Sequence, residues 1–333
     1  MLKNELIEFC KTLGLDVVGF TKCRVFEELR DFYEFRKNNN LENEFEESDI
    51  EKRINPMHYM EEGKTIISIA FPYFHGNDFL GNGFSLYTMG SDYHHVVGAY
   101  LKKICDFIEE QGGKALHFVD SNTLPERYIA YLSGIGFIGK NNMLITKKYG
   151  SYVFLGEIIT DLVMEPDFSY EERNFSLINN FKECKECEIC YVECPTKAIN
   201  RNKKNCNICM SYITQKKDIE DKFIKLMNGR IFGCDSCQTS CPYNENVEFS
   251  SIEEFKAKDF MSSIDTNSII SLTNGSFKET FKTTSCGWRG KNTLIRNALI
   301  RHSLFEGKDI SNIKFSSEYI EKYKIRLLSM NKL

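Results

Sequence analysis

Apolar residues at positions 2, 6, 7, 9, 10 and 13 recur at helical spacing, and Gly14 supplies a stop. The segments LDVVGFT (15–21) and TIISIAFPY (65–73) are dense in β-branched and aromatic residues, which predicts buried strands. Residues 93–110 predict a helix, closed by Gly112-Gly113 and followed by a strand over ALHFVD (115–120). Thr123-Leu-Pro-Glu126 has the spacing of a capping box with proline in the first turn, so a helix is expected from there to Gly134. YVFLGEIIT (152–160) predicts a further strand. Strands separated by helices give an α/β or α+β layer, with helices packed on a sheet. Residues 31–62 interrupt this rhythm with ten acids against four bases and read as a solvated connector. A linker is expected over 166–181, and after Pro242 the pattern turns helical. Three regions follow: 1–170 as the α/β domain, 171–250 as a cysteine module, and 251–333 as a small helical region.

Composition narrows the class. Forty-three Lys+Arg against 47 Asp+Glu leave a net charge of −4, and 42% of the 333 residues are hydrophobic. That excludes a collagen, a disordered acidic tail and a histone-like protein. The average conceals a local excess: residues 276–333 carry twelve bases against five acids. The apolar runs are strand-sized and the start, MLKNELIEFCK, has no apolar leader, so no membrane span and a cytoplasmic location are expected.

The 13 cysteines change the picture most. Nine lie between Cys184 and Cys241; only Cys10, Cys23, Cys105 and Cys286 lie outside, where they read as small core residues. In a reducing compartment metal ligation is the stronger reading. Cys184-x2-Cys187-x2-Cys190-x3-Cys194-Pro195 is the run of bacterial two-cluster ferredoxins, whose fourth cysteine serves the other cluster. Cys234-x2-Cys237-x3-Cys241-Pro242 is its second half. A zinc site has no need of either CP ending. By the exchange rule, one [4Fe-4S] cluster takes Cys184, Cys187, Cys190 and Cys241. The other takes Cys194, Cys234, Cys237 and an eighth thiolate, for which the spacing offers both Cys206 and Cys209. Two clusters make an electron wire, so the preceding domain is expected to hold a second redox centre or an oxidising substrate. The glycine-rich GIGFIGK loop (134–140) lacks the Gly-Lys-Ser/Thr ending of a nucleotide loop, which leaves Lys140 as a candidate phosphate contact. His94-His95 shows no metal-ligand spacing and reads as a surface or core pair.

Several blocks together resemble the cobalamin-dependent epoxyqueuosine reductases. They are VDSNTLPERYIAYLSGIGFIGKNNMLI (119–145), YGSYVFLGEIITDL (149–162), CKECEICYVECPTKAI (184–199), CMSYIT (209–214), GRIFGCDSCQTSCPYN (229–244) and WRGKNTLIRNALI (288–300). An RxxP element at Arg53–Pro56 and YxxGxDYH at Tyr87–His94 extend the likeness over nearly the whole chain. The resemblance implies an α/β (α+β) cobalamin-binding domain joined to a ferredoxin-like double-cluster module and a helical C-terminal region. It also implies that the clusters feed a cob(I)alamin, which reduces epoxyqueuosine to queuosine at a tRNA wobble position. Expelling the epoxide oxygen as water requires an acid. By position Asp120 matches the family's proton donor, and burial against the corrin is expected to keep it protonated. Cobalamin contacts carry over onto Arg53, Tyr87, Asp120, Leu144, Leu155, Ile158, Ala198, Ser211 and Tyr212. The CMSYIT match favours Cys209 as the eighth ligand. A ferredoxin or flavodoxin reductant and a monomer are expected.

The chain is expected to lack the full HEAT-like extension of longer family members, which makes the basic 276–333 segment the candidate RNA-docking surface. Neutralising Lys291, Arg296 and Arg301 together is the corresponding test. Competing readings are a reductive dehalogenase-like enzyme with the same cofactors, a non-catalytic two-cluster electron carrier, and an RNA-binding protein whose clusters are structural.

Overall fold

A computed structural model describes residues 2–78, 80–202, 204–262 and 264–330. Its first half is built on strands β1 (Val18–Lys22), β2 (Thr65–Pro72), β3 (Ala115–Phe118) and β6 (Val153–Thr160). These four form one antiparallel sheet in the order β1-β2-β6-β3, while β4 (Phe137–Ile138) and β5 (Leu144–Ile145) pair as a separate ribbon. Helices α1 (Leu2–Thr12), α2 (Arg30–Asn38), α3 (Ile50–Ile54), α4 (Tyr93–Glu110) and α5 (Glu126–Leu132) complete this region. The predicted strands are present within three residues of their expected bounds, and α4 begins and ends where the pattern placed it. The mixed fold is therefore of the α+β kind.

All eight positions of β2 are buried, which is unusual for an antiparallel strand and has a direct cause. Ile67, Ile69 and Phe71 face Leu6, Val97, Leu101 and Ile104 of α1 and α4. Ile66 and Ala70 face Ile129 and Leu132 of α5 on the other side. Helices cover both faces, so no polar alternation is required. Gly156 brings α4 close to β6, since a Cβ there would stand 2.8 Å from Leu101 Cδ1 and 3.0 Å from Val97 Cγ1.

The acidic connector is folded, contrary to the expectation of a solvated segment. Tyr33, Leu41, Ile54 and Met60 are buried in it, and its charges are paired internally. Arg36 meets Glu46 at 2.8 Å, and Arg53 reaches Glu42 at 3.1 Å and Glu46 at 3.3 Å. Charge counting reads acids as solvated; here Arg36 and Arg53 pair with Glu42 and Glu46 and bring them inward. The 166–181 segment is likewise docked, with Arg173 donating to the carbonyls of Tyr131 and Gly136 at 2.8 Å.

The second half of the cysteine module shares a core with the C-terminal helices. Met210, Ile213, Phe223 and Phe232 pack with Leu294, Leu299, Ile320 and Tyr323. Arg296 lies at the centre of this core and is fully buried. It donates to the carbonyls of Thr214 and Lys217, each at 2.9 Å, to that of Lys216, and to the Tyr319 hydroxyl at 2.8 Å. These carbonyls end the helix Met210–Gln215, so the guanidinium closes the helix that follows Cys209. Asn297 adds bonds to the carbonyls of Thr214 (2.7 Å) and Ile231 (2.6 Å).

The basic-surface reading is corrected accordingly. Arg296 is a structural brace, and Arg301 is held by Glu306 at 3.0 Å and by the Gly229 carbonyl at 2.8 Å. A triple neutralisation would therefore mix folding with binding. Arg296→Met is expected to lower stability by about 3 kcal/mol, because several buried carbonyls lose their donor. Anaerobic urea unfolding measures this, and an unchanged midpoint would contradict the assignment. Among the described residues no helix is long and apolar enough to cross a membrane.

Candidate active site and cluster centre

The cysteines fall into two groups. The Cys190 thiol is pushed up to about 11 by burial and then by the neighbouring Cys184, Cys187 and Cys241. Cys237 is raised by burial and then by Cys209, Cys234 and Cys194. Burial, then Cys234 and Cys194, raise Cys209 to about 11. Such clustering is unfavourable for free thiolates and is relieved by metal, which holds thiols deprotonated. Among the described residues no three ligating side chains converge tightly enough for a lone metal ion. The donor set thus fits two clusters, as the sequence pattern anticipates.

Cys206 stands apart. Its thiol donates to the Leu41 carbonyl at 2.9 Å and to Glu46 Oε1 at 3.0 Å, with Arg36 Nη2 at 3.5 Å. It ties the acidic connector to the cysteine module and lies away from the second quartet. Lys140 is corrected too: its ammonium donates to the carbonyls of Lys185 (2.7 Å) and Cys187 (3.0 Å) and so supports the first cysteine loop. Cys10, Cys23, Cys105 and Cys286 are buried, as expected of core residues.

Asp120 sits where β3 gives way to the loop before α5. Its backbone is left-handed (φ 50°), a conformation aspartate tolerates better than most residues. The expected capping box is not formed. Thr123 Oγ1 donates to the Lys52 carbonyl, and α5 begins late, at Glu126. Glu126 instead turns back into the loop, accepting from the Asp120 N–H at 2.8 Å and from Asn122 Nδ2 at 2.7 Å. Proline at 125 removes an amide and delays the helix, which frees Glu126 to latch the loop.

The Asp120 side chain is 59% exposed, so its carboxylate is open to solvent. Its Oδ2 accepts from the Tyr93 hydroxyl at 2.6 Å and lies 3.3 Å from His94 Nε2. Burial raises its pKa, but the bonds from His94 and Tyr93, and then the His94 charge, outweigh this and hold it below the ordinary value. In the protein alone the donors, not burial, set the direction of the shift. Two donors aimed at one oxygen favour the anion.

Beneath the loop lie two carboxyls whose charges interact. Glu157 on β6 is fully buried, and its Oε1 accepts from Ser68 at 3.2 Å. Burial, and then the charge of Glu126, keep it well above the ordinary range. Burial and the Asp120 charge push Glu126 up to about 7. The folded chain thus retains a proton that the unfolded chain releases near the ordinary value. This contribution to stability is present in acid and lost as pH rises through about 7. Glu126→Gln removes the titration, so the melting temperature of the variant relative to the parent is expected to climb between about pH 5 and about pH 8. A gap independent of pH would rule this out.

The remaining sequence candidates divide. Burial keeps the Tyr87 hydroxyl well above its ordinary range; Ser211 works against this, while the charges of Asp235 and Asp120 add to it. Arg53 stacks on Tyr33 (3.8 Å) within its ion pairs. Leu144 and Ala198 are buried, and Leu155 is half-buried on the α5 face of the sheet. Tyr212 is buried against Phe45, 5.2 Å between rings. Ile158 is fully buried in the core on the opposite face of the sheet. Sequence reading passed over Asp92, Tyr93 and His94 as site residues. The available signal was an aspartate two residues before a histidine at a helix start, inside YxxGxDYH.

The comparisons with known proteins agree with this arrangement. Residues 53–121 match the family model described as "Epoxyqueuosine reductase QueG, DUF1730", and residues 183–244 match the 4Fe-4S double cluster binding domain. An epoxyqueuosine reductase of Bacillus subtilis (strain 168) is 33% identical over 96% of this chain and 83% of its own length. A crystal structure of epoxyqueuosine reductase with an epoxyqueuosine-modified tRNA-Tyr stem loop superposes with a TM-score of 0.87, at 32% identity over 98% of this chain and 89% of that one. A Bacillus subtilis structure with its aspartate catalytic loop swung out of the active site gives 0.86, at 31% identity and the same coverage. With the double-cluster domain, the latched aspartate loop and near full-length likeness in place, the chain belongs to the epoxyqueuosine reductases, a family of oxidoreductases.

Proposed function

We propose that this chain reduces the epoxide of epoxyqueuosine at the wobble position of a tRNA, using bound cobalamin and two [4Fe-4S] clusters, with Asp120 delivering the proton. The observation that carries this reading is the solvent-open Asp120 carboxylate, met by Tyr93 and His94, on a chain that also carries the double-cluster module. A relative holding an epoxyqueuosine-modified stem loop supports a tRNA substrate. In this reading Cys184, Cys187, Cys190 and Cys241 hold one cluster, and Cys194, Cys209, Cys234 and Cys237 hold the other. Cobalamin, when bound, would supply a low-valent cobalt as the two-electron reductant.

This chain's own part is position and protons. Opening a C–O bond of the epoxide and expelling its oxygen consumes two electrons and two protons, leaving an alkene and water. Tyr93 and Glu126 hold the Asp120 loop in place, so that the carboxyl oxygen can meet the departing oxygen. Packing of α4 and α5 on the sheet fixes both supports. Because Asp120 is held as an anion, it transmits a proton and is not a permanent store of one.

Anaerobic reconstitution with cobalamin, followed by nucleoside analysis of epoxyqueuosine-containing tRNA, tests the proposal. Queuosine should appear only when cobalamin, reductant and both clusters are present. Protein that carries electrons but takes up no corrinoid would favour the electron-carrier reading instead.

A further inference from the structure

We infer that Asp92, His94 and Asp120 form a proton relay in which His94 holds the proton that Asp120 passes to the substrate oxygen. This deepens the proposed function and rests on its reading of Asp120. It begins from a chemical shortfall: the reaction consumes two protons, and the residue placed to deliver them is an anion.

The imidazole of His94 lies between two carboxylates. Nδ1 is 2.9 Å from Asp92 Oδ1, and Nε2 is 3.3 Å from Asp120 Oδ2. Each nitrogen faces an acceptor, so both are satisfied only when both carry hydrogen, which is the imidazolium. The bonds from Asp120 and Asp92 outweigh burial and raise His94 to about 9. It is therefore charged at neutral pH, while Asp120 is ionised.

The support is rigid. Asp92 caps the first turn of α4, accepting from the His94 N–H at 3.1 Å, and its own N–H donates to the Thr283 carbonyl at 3.1 Å. The Tyr93 ring stacks on the imidazole at 4.2 Å, and Ser121 Oγ lies 3.5 Å from Nε2. The other titratable groups facing the relay are Tyr93, Tyr87, Glu126 and Arg127 around Asp120, and His95 and Cys286 around Asp92. Of these, His94 is the cation bonded directly to the Asp120 carboxylate.

The step balances as follows. As the C–O bond breaks and its electron pair stays on oxygen, Asp120 takes a proton from His94 Nε2 and passes it to that oxygen. Neutral His94, whose side chain is 34% exposed, regains a proton from solvent. A second passage completes the water. The two electrons come from the bound cofactors of the proposed function. His94 acts through Asp120 and is a positioning and proton-holding residue.

The test uses full-length protein with both clusters and cobalamin loaded. Rates on epoxyqueuosine-bearing tRNA are measured across pH for the parent, His94→Gln and Asp92→Asn. The parent's kcat is expected to fall as pH passes about 9. His94→Gln should lower kcat by roughly 10- to 100-fold with KM and corrinoid spectrum unchanged, and should abolish that limb. Asp92→Asn retains the helix cap and should move the limb to lower pH. A second readout does not depend on turnover: NMR titration of His94 should give about 9 in the parent and a lower value in Asp120→Asn. A His94→Gln variant with the parent's rate and limb overturns the relay. So does one that is slow with the limb unmoved, since His94 would then only hold the loop. A His94 titration near its ordinary value of about 6.5 also overturns it, even if the variants fail to fold. If the parent leaves the tRNA unreduced, or Asp120→Asn keeps full activity, the proposed function fails first and the relay falls with it.

Discussion

Asp120→Asn is expected to lower turnover of epoxyqueuosine-bearing tRNA by at least about 100-fold, the lower range for loss of a positioned acid. The substitution is nearly isosteric. The loop bonds from Glu126 to the Asp120 backbone and to Asn122 do not involve the carboxyl that is changed. The Tyr93 hydroxyl can donate to the new amide oxygen. Cobalamin binding and both cluster signals are therefore expected to survive, which separates lost chemistry from lost structure. The amide can neither accept the His94 proton nor pass one on. Removing the carboxylate also takes away the first cause of the raised His94 pKa, so His94 should become neutral at a lower pH. Single-turnover assays with a pre-reduced enzyme check the prediction. Full activity in this variant would remove Asp120 as the donor and leave Tyr93, whose hydroxyl burial and the Asp120 charge keep well above its ordinary range, as the nearest replacement.

The second large effect concerns the eighth thiolate. Cys209→Ser is expected to lose one of two clusters, leaving about half the iron per chain, and to stop turnover because the electron wire is cut. Cys206→Ser should keep both clusters and lose only about 1 kcal/mol from its bonds to the connector. The reason is location: Cys209 lies with Cys234, Cys194 and Cys237, while Cys206 is turned toward Leu41 and Glu46. Iron and sulfide analysis with electron paramagnetic resonance of the dithionite-reduced proteins distinguishes them. The reverse pattern, with iron lost from Cys206→Ser and retained in Cys209→Ser, would exchange their roles.

Local pattern carried a large part of the fold. The strands and α4 were legible because their apolar runs and turn residues agree with their tertiary surroundings. The cysteine runs were legible because a chelate loop is a short-range device whose spacing is written in the chain. Pattern failed where a polar residue's partner is distant in sequence. The acids of the connector looked solvated, but Arg36 and Arg53 pair with them. Arg296 looked like a basic surface residue until its carbonyl partners near position 216 appeared, about eighty residues earlier. Thr123-to-Glu126 looked like a capping box, yet Glu126 spends its oxygen on the Asp120 loop.

The sequence by itself determined which residues build the sheet and that the two cysteine runs form a double-cluster module. Periodicity, chelate spacing and turn chemistry act over a few residues and survive reading in one dimension. Only the tertiary structure decided that Cys206 is tied to the acidic connector, that Arg296 braces the helix after Cys209, and that the Asp120 carboxyl is held below its ordinary range. Each of those depends on groups far apart in the chain, because burial, charge pairing and the resulting pKa shifts are set by distance in space.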